Sequence, residues 1–308
     1  MKFLITGDLH LRASNPENRN DNFFLVQLGK MEQIFKLSIQ NNCNYLLCPG
    51  DVFDGPRPSF DVLEFYIKLM NQYNIKNEGV VKFLTIWGQH DQRFRVRERT
   101  ALRLMESLGY MQTFNKISIT DEIDLYGCDY GCELPIIEDE DKFNILLIHK
   151  VVVDKPQWPG HEDFLQSEKL AKKYPYDIIV SGDYHKPVFY KYKNQTILNC
   201  GVLVRKTIAE ADLEPHIYIL DINNDLEYSL EKIYLQFEPA DKVFKPEALE
   251  RTDKKENQKL QEFINSIKNN EIGQSLDFRK NLELMMKSIE TPVKDIILKE
   301  LEGIENGN

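Results

Sequence analysis

The sequence has no apolar run approaching the ~18–20 residues that cross a bilayer, so neither a helical span nor a membrane partner is expected. Its opening, Met1-Lys2-Phe3-Leu4-Ile5, is too short for the apolar core of a secretory leader, and Asp8 interrupts it. Cysteine is scarce: Cys43, Cys48, Cys128, Cys132 and Cys200 form an odd, scattered set. This argues against a disulfide framework, and Cys128 and Cys132, lacking a second pair, do not make a zinc site. A reducing cytoplasm suits such thiols. Basic charge is in deficit, with 39 Lys and Arg against 49 Asp and Glu and a net charge of -10. That excludes a long basic surface of the histone kind. It does not exclude nucleic acid, because bound divalent cations offset carboxylates that the formal count leaves bare. Internal repeats and low-complexity tracts are absent as well.

What is present is an alternation of short apolar runs and helical stripes, in a chain of 308 residues that can hold one large domain and a smaller one. Residues 2–6 read as a buried strand. Phe24, Leu28, Met31, Phe35 and Ile39 make a helical stripe over 22–42. Residues 45–48 are a second strand, and 59–73 a helix with Val62, Tyr66, Leu69 and Met70 on one side. A strand over 80–87 and a helix over roughly 97–109 follow. Strands then dominate: 117–119, 123–126, 144–148, 177–180, 188–192, 196–199, 215–221 and 226–236, with one helix over 163–173. An α/β fold with two sheets face to face and helices outside satisfies both halves. From about 237 the composition turns charged, with stripes Leu260-Phe263-Ile264-Ile267, Leu282-Met285-Met286-Ile289 and Ile297-Leu301-Ile304. The expected division is a domain over 1–236 and a helical region over 237–308.

The chemistry-bearing residues collect where strands end. These are Asp8 and His10; Asp51; Gln89 and His90; His149; and Asp183 and His185. Each alone has a plain reading: Gly-Asp after a strand is a common turn, and an isolated histidine is commonly a hydrogen-bonded structural residue. Jointly they are more pointed, because four of the six histidines stand at or just past strand ends. In an α/β sheet such groups gather along one edge. Carboxylate, imidazole and amide oxygen, with no cysteine among them, suit Mn, Fe or Zn. Arg93, Arg95, Arg97, Arg99 and Arg103 follow His90, opposed only by Glu98. The first four suit a phosphate polyanion such as DNA, or else a solvated basic loop.

The runs Gly7-Asp8-Leu9-His10, Gly50-Asp51-Val52-Phe53-Asp54, Gly88-Gln89-His90-Asp91, then His149 and Gly182-Asp183-Tyr184-His185 resemble the calcineurin-like metallophosphoesterase superfamily over about residues 1–205. The resemblance implies a two-sheet sandwich with a dinuclear metal centre. One ion would be held by Asp8, His10, Asp51 and His185. Asp51 would bridge to the second ion, bound also by His149 and the positions of Gln89 and Asp183. The family usually has Asn and His at those last two positions. Asp183 is the harder ligand, so the resemblance implies two divalent ions, Mn foremost with Mg as alternative, and a weaker second position. It casts His90 and Asp91 as catalytic, His90 protonating the leaving oxygen and Asp91 holding its ring.

The segments 51–59 and 201–210 resemble those of SbcD-type nucleases, and Arg12 to Asp21 resembles phage members. This implies the catalytic subunit of a recombination and repair nuclease in a bacterial or phage-infected cytoplasm. It would act on DNA as a homodimer with an SMC-like ATPase of the SbcC type, docked by the C-terminal helices unless these serve as a reduced capping element. The alternatives are a phosphoesterase acting on a small phosphodiester or phosphoprotein, and a regulatory subunit with weak catalysis. His161 and Trp158 read as loop residues, His216 as structural and Trp87 as core.

Overall fold

The computed structural model describes residues 1–157 and 162–250. Trp158, His161 and the three expected C-terminal helices lie outside the described residues. Met1–Lys245 form one compact unit, which runs past the compositional boundary at 236, and Pro246–Asn308 form a second. Of the second unit, residues 246–250 are described and are helical.

The elements of the first unit run β1 (Lys2–Ile5), α1 (Phe23–Gln40), β2 (Tyr45–Cys48), α2 (Phe60–Gln72), β3 (Lys82–Thr85), α3 (Ala101–Ser107), β4 (Gln112–Thr113), β5 (Lys116–Ser118), β6 (Ile123–Cys128) and β7 (Phe143–Ile148). There follow β8 (Val152–Val153), β9 (Leu165–Gln166), α4 (Ser167–Lys173), β10 (Ile178–Ser181), β11 (Val188–Tyr192), β12 (Gln195–Asn199), β13 (His216–Ile222), β14 (Tyr228–Tyr234) and α5 (Ala240–Val243). Among the described residues these make two six-stranded sheets, β14-β13-β1-β2-β3-β4 and β11-β12-β10-β7-β6-β5, and a two-stranded β8-β9 ladder. β1-β2-β3-β4 in one sheet and β6-β7-β10-β12 in the other are parallel, with antiparallel strands β13 and β14 at one edge of the first and β11 and β5 at the edges of the second.

Strand alternation explains the layers. Phe3 and Ile5 of β1, Leu47 of β2 and Leu84 of β3 meet Ile145 and Leu147 of β7 and Val180 of β10 in the middle of the sandwich. Their neighbours Leu4, Leu46 and Phe83 face α1 and α2, packing on Met31, Ile34, Phe35, Val62, Tyr66 and Met70. On the far side, Leu146, Ile148 and Ile179 pack on Leu170 and Ala171 of α4.

Three elements differ from the sequence reading. The buried stripe of α1 includes Phe23, Gln27, Lys30, Met31, Ile34 and Phe35, while Ile39 is exposed. Gln27 is buried because it bonds backbone: its amide nitrogen donates to the His10 carbonyl at 2.8 Å, and its oxygen accepts from Arg12 N at 3.1 Å. The third helix begins only at Ala101, capped by Thr100, because residues 98–99 form a turn with Arg99 at a φ of 58°. The helix expected over 163–173 opens as a strand, since Leu165 and Gln166 pair with Val152 and Val153.

Candidate metal centre

Five loops leaving β1, β2, β3, β7 and β10 carry Asp8 and His10, Asp51, Gln89 and His90, His149, and Asp183 and His185 to one place. The loops are stitched to one another. Leu9 N and His10 N both donate to the Asp51 carbonyl, at 3.1 and 2.9 Å, and Leu203 N donates to the Asp8 carbonyl at 3.0 Å. His10, Asp51 and Asp183 have φ of 46°, 47° and 69°, the left-handed region that L residues seldom occupy. Backbone strain of this kind persists where surrounding structure over-determines it, and it clusters at functional sites. Two glycines make the approach possible. A Cβ on Gly88 would lie 2.1 Å from Asp51 Oδ1, and one on Gly182 would lie 2.6 Å from Asp8 Oδ1.

Asp8, His10 and His185 offer ligand atoms within 4.8 Å of one another. His10 Nε2 and His185 Nε2 face each other at 3.1 Å. Asp51 Oδ2 lies 3.8 Å from His10 Nε2, 3.3 Å from His149 Nε2 and 4.0 Å from His90 Nε2. It therefore stands between the two halves of the site. Asp183 N donates to Asp8 Oδ2 at 2.8 Å. On the second side, Gln89 turns its amide nitrogen toward Asp183 Oδ1 at 3.3 Å, so its oxygen faces away from that carboxylate.

Outer groups fix three of the imidazoles. His185 Nδ1 bonds Glu210 Oε1 at 3.0 Å, His149 Nδ1 bonds the Pro49 carbonyl at 2.7 Å, and His90 Nδ1 bonds the Asp54 carbonyl at 3.1 Å. Asp54 Oδ1 lies 3.5 Å from His10 Nδ1. Partners of this kind set the tautomer and leave Nε2 pointing inward. Sequence reasoning missed Glu210 as a site residue. Its signal was a Thr207-to-Glu210 capping-box spacing, and the box is present. Asp54 was visible in its motif, but with no role attached.

Two expectations change. Asp91 does not hold the His90 ring. Fully buried, it accepts from Phe53 N at 3.0 Å, Gly88 N at 3.2 Å and Val52 N at 3.3 Å, and so fastens the β2 and β3 loops together. Arg97 is committed as well: it pairs with Asp129 at 2.6 Å and lies over the Trp87 ring. Arg93, Arg95 and Arg99 remain exposed. His216 is structural, with Nδ1 on the Glu214 carbonyl.

The electrostatics are those of concentrated, dry negative charge. Burial pushes the Asp8 carboxyl up to about 7, against the pull of His149. Burial alone would raise Asp51 too, but the hydrogen bond and charge of His149 outweigh it and hold it at about 2. Burial would lower His149, yet Asp51 and Asp8 raise it to about 10. Burial pulls His10 down to about 3, keeping it the neutral imidazole that ligates metals.

The profile of the calcineurin-like phosphoesterase family matches residues 1–187. The chain belongs to that family. It is 26% identical over 284 residues to the double-strand break repair protein MRE11 of Encephalitozoon cuniculi, a match covering 77% of this chain and 47% of the relative. The chain thus spans about half the length of that relative. Among solved structures, a dimetal phosphatase from Danio rerio aligns with TM-score 0.51 at 8% identity, over 77% of this chain and 99% of that one. An archaeal phosphodiesterase aligns with TM-score 0.42 at 16% identity, over 76% and 100%.

Calcineurin-like phosphoesterases use paired metal ions, and this site fits them. Asp8 Oδ1 is buried with no hydrogen-bond partner, so it has a lone pair to give. The donors are all oxygen or imidazole nitrogen, and the proton drawn onto His149 is one that a divalent cation would displace. Among the described residues no helix is long and apolar enough to cross a membrane.

Proposed function

We propose that this phosphoesterase is a metal-dependent DNA nuclease of the SbcD type, the catalytic subunit of an SbcCD-like recombination and repair complex. The observation that carries the reading is His90. Its Nδ1 is fixed by the Asp54 carbonyl, its Nε2 stands 4.0 Å from Asp51 Oδ2, and its side chain is 37% exposed at the mouth of the site. The exposed arginines Arg93, Arg95 and Arg99 follow directly, and the likeness to a double-strand break repair protein spans both.

Asp8, His10, Asp51 and His185 would hold one divalent ion, and Asp51, His149, Gln89 and Asp183 the other, with Mn as the proposed metal. Such a pair supplies water activation and charge neutralisation for in-line phosphodiester hydrolysis. The chain supplies the rest. The phosphate seats against Asp51's side of the cleft, with His90 Nε2 placed as the proton donor to the departing oxygen. The backbone of the strand continues along the exposed arginines, which bind phosphates without reading sequence. Asp91 and Gln27 keep the loops in register.

A homodimer and an SMC-like ATPase partner are part of the proposal. Phe60 and Phe65 on α2 and Leu104 on α3 are exposed apolar residues that a second copy would cover. The alternative is a catalytically weak regulatory subunit, since Gln89 and Asp183 stand where the family usually has Asn and His.

The test is purified protein with Mn, offered linear duplex DNA, circular single-stranded DNA and an aryl phosphodiester, beside His90→Ala. Loss of a leaving-group acid is expected to slow DNA cleavage by about 100-fold or more, with metal binding retained. Turnover of the small ester alone sinks the nuclease reading, and inertness on all three substrates with metal bound favours the regulatory one.

A further inference from the structure

Lys206 occupies a place that the catalytic reading leaves unused. Its backbone N–H donates to Glu210, the carboxylate that also holds His185. Its Nζ bonds Asp54 Oδ1 at 2.8 Å, the oxygen that lies 3.5 Å from His10 Nδ1. The lysine is thus anchored between the outer partners of two imidazoles whose Nε2 atoms are 3.1 Å apart. Arg12 reaches the other oxygen of the same carboxylate, Asp54 Oδ2, at 2.7 Å, and its remaining nitrogens lean on Ser14. Beside Arg12 and Asp54 opens a cavity of about 310 Å³, lined also by Ser14, Arg57 and Ser59.

We propose that Lys206 and Arg12 form a subsite for a second phosphate group, flanking the scissile phosphodiester on the leaving-group side. The substrate is then a strand or nucleotide with at least two phosphates, not an isolated ester. This rests on the reading of the neighbouring centre as a phosphodiesterase.

Charge counting supports it. Arg12 and Lys206 both pair with the one carboxylate of Asp54, an excess of positive charge, and exposed Arg57 lines the cavity beside them, in a chain whose net charge is -10. A phosphate oxyanion offsets that excess. The bond to Asp54 uses one of the three ammonium protons of Lys206, leaving two for a ligand. The lysine and arginine side chains are 20% and 26% exposed, dry enough for charge-assisted hydrogen bonds to count yet open to solute. The side is set by Asp54, whose carbonyl holds His90, the acid for the departing oxygen. Asp54 therefore couples the two positions: its side chain aligns the cations while its backbone aligns the proton donor.

Calorimetry on the full chain with Mn tests this without turnover. The probes are thymidine 3′,5′-bisphosphate and the two thymidine monophosphates. The bisphosphate is expected to bind about tenfold tighter than the better monophosphate, the contribution of one charge-assisted contact pair. Lys206→Gln and Arg12→Gln should each remove most of that ratio. Arg57→Gln, a change at an exposed side chain, should lower it in a form whose folding is not at stake. Lys191→Gln, an exposed lysine on β11, should leave it intact. A bisphosphate no tighter than the monophosphates, or a ratio that survives Lys206→Gln, Arg12→Gln and Arg57→Gln, overturns the subsite. Failure of the phosphodiesterase reading shows separately, as absence of hydrolysis by the wild-type chain whatever the binding ratio.

Discussion

At the scale of the residue, the site is a set of imidazoles whose inward nitrogens depend on what holds their outward ones. Glu210 makes this testable. As a carboxylate it accepts from His185 Nδ1, leaving Nε2 unprotonated for a ligand role. In Glu210→Gln an amide N–H can face Nδ1 instead, which moves the imidazole proton to Nε2. Divalent-metal affinity is expected to fall about 10- to 100-fold, read by calorimetry on the folded variant. The pH dependence has a definite sign. Asp8, pushed up to about 7, and His149, raised to about 10, must both lose protons to ligate, so affinity rises with pH. Uptake should release more protons below about 7, where Asp8 and His185 also give theirs up, than above it, measured by titration in buffers of different ionisation enthalpy. A release unchanged across that range contradicts the assignment. The residues legible in the sequence were those whose signal is local, Asp8 to His10 or Gly182 to His185, where a strand stops at a glycine and a ligand pair follows. Glu210, 25 residues past His185, and the true partners of Asp91 depend on tertiary approach that no local spacing records.

Elements were readable where burial is two-sided. β2, β7 and β10 are continuous apolar runs because both faces are covered. α1 was misaligned because Gln27 and Lys30, polar by composition, are buried as backbone clamps. α3 was drawn too long because Arg99, just before it, has positive φ, where nothing but the fold marks a break. The join between β3 and its loop is the tightest of the elements around the site. Gly88→Ala would drive a methyl into Asp51 Oδ1 and Asp51 N, 2.1 and 2.2 Å away. Thermal unfolding should show a loss of about 1–3 kcal/mol, and phosphoesterase activity should fall with it. A stable variant of normal activity would mean that the loop has room the structure denies.

At the scale of the whole molecule, the sandwich of Met1–Lys245 has its own core, with Leu235, Val243 and Phe244 buried within it. A chain ending at Lys245 is therefore expected to fold and to bind Mn, while losing co-purification with an ATPase subunit. Retained co-purification would place the docking surface on the sandwich instead. The stitching of the centre from both sheets has a consequence for synthesis on the ribosome. Asp8 emerges first, but His185 and Glu210 complete the first metal position only after the second sheet exists. A nascent or nicked chain lacking those late loops has an incomplete metal centre and is expected to have no phosphoesterase activity.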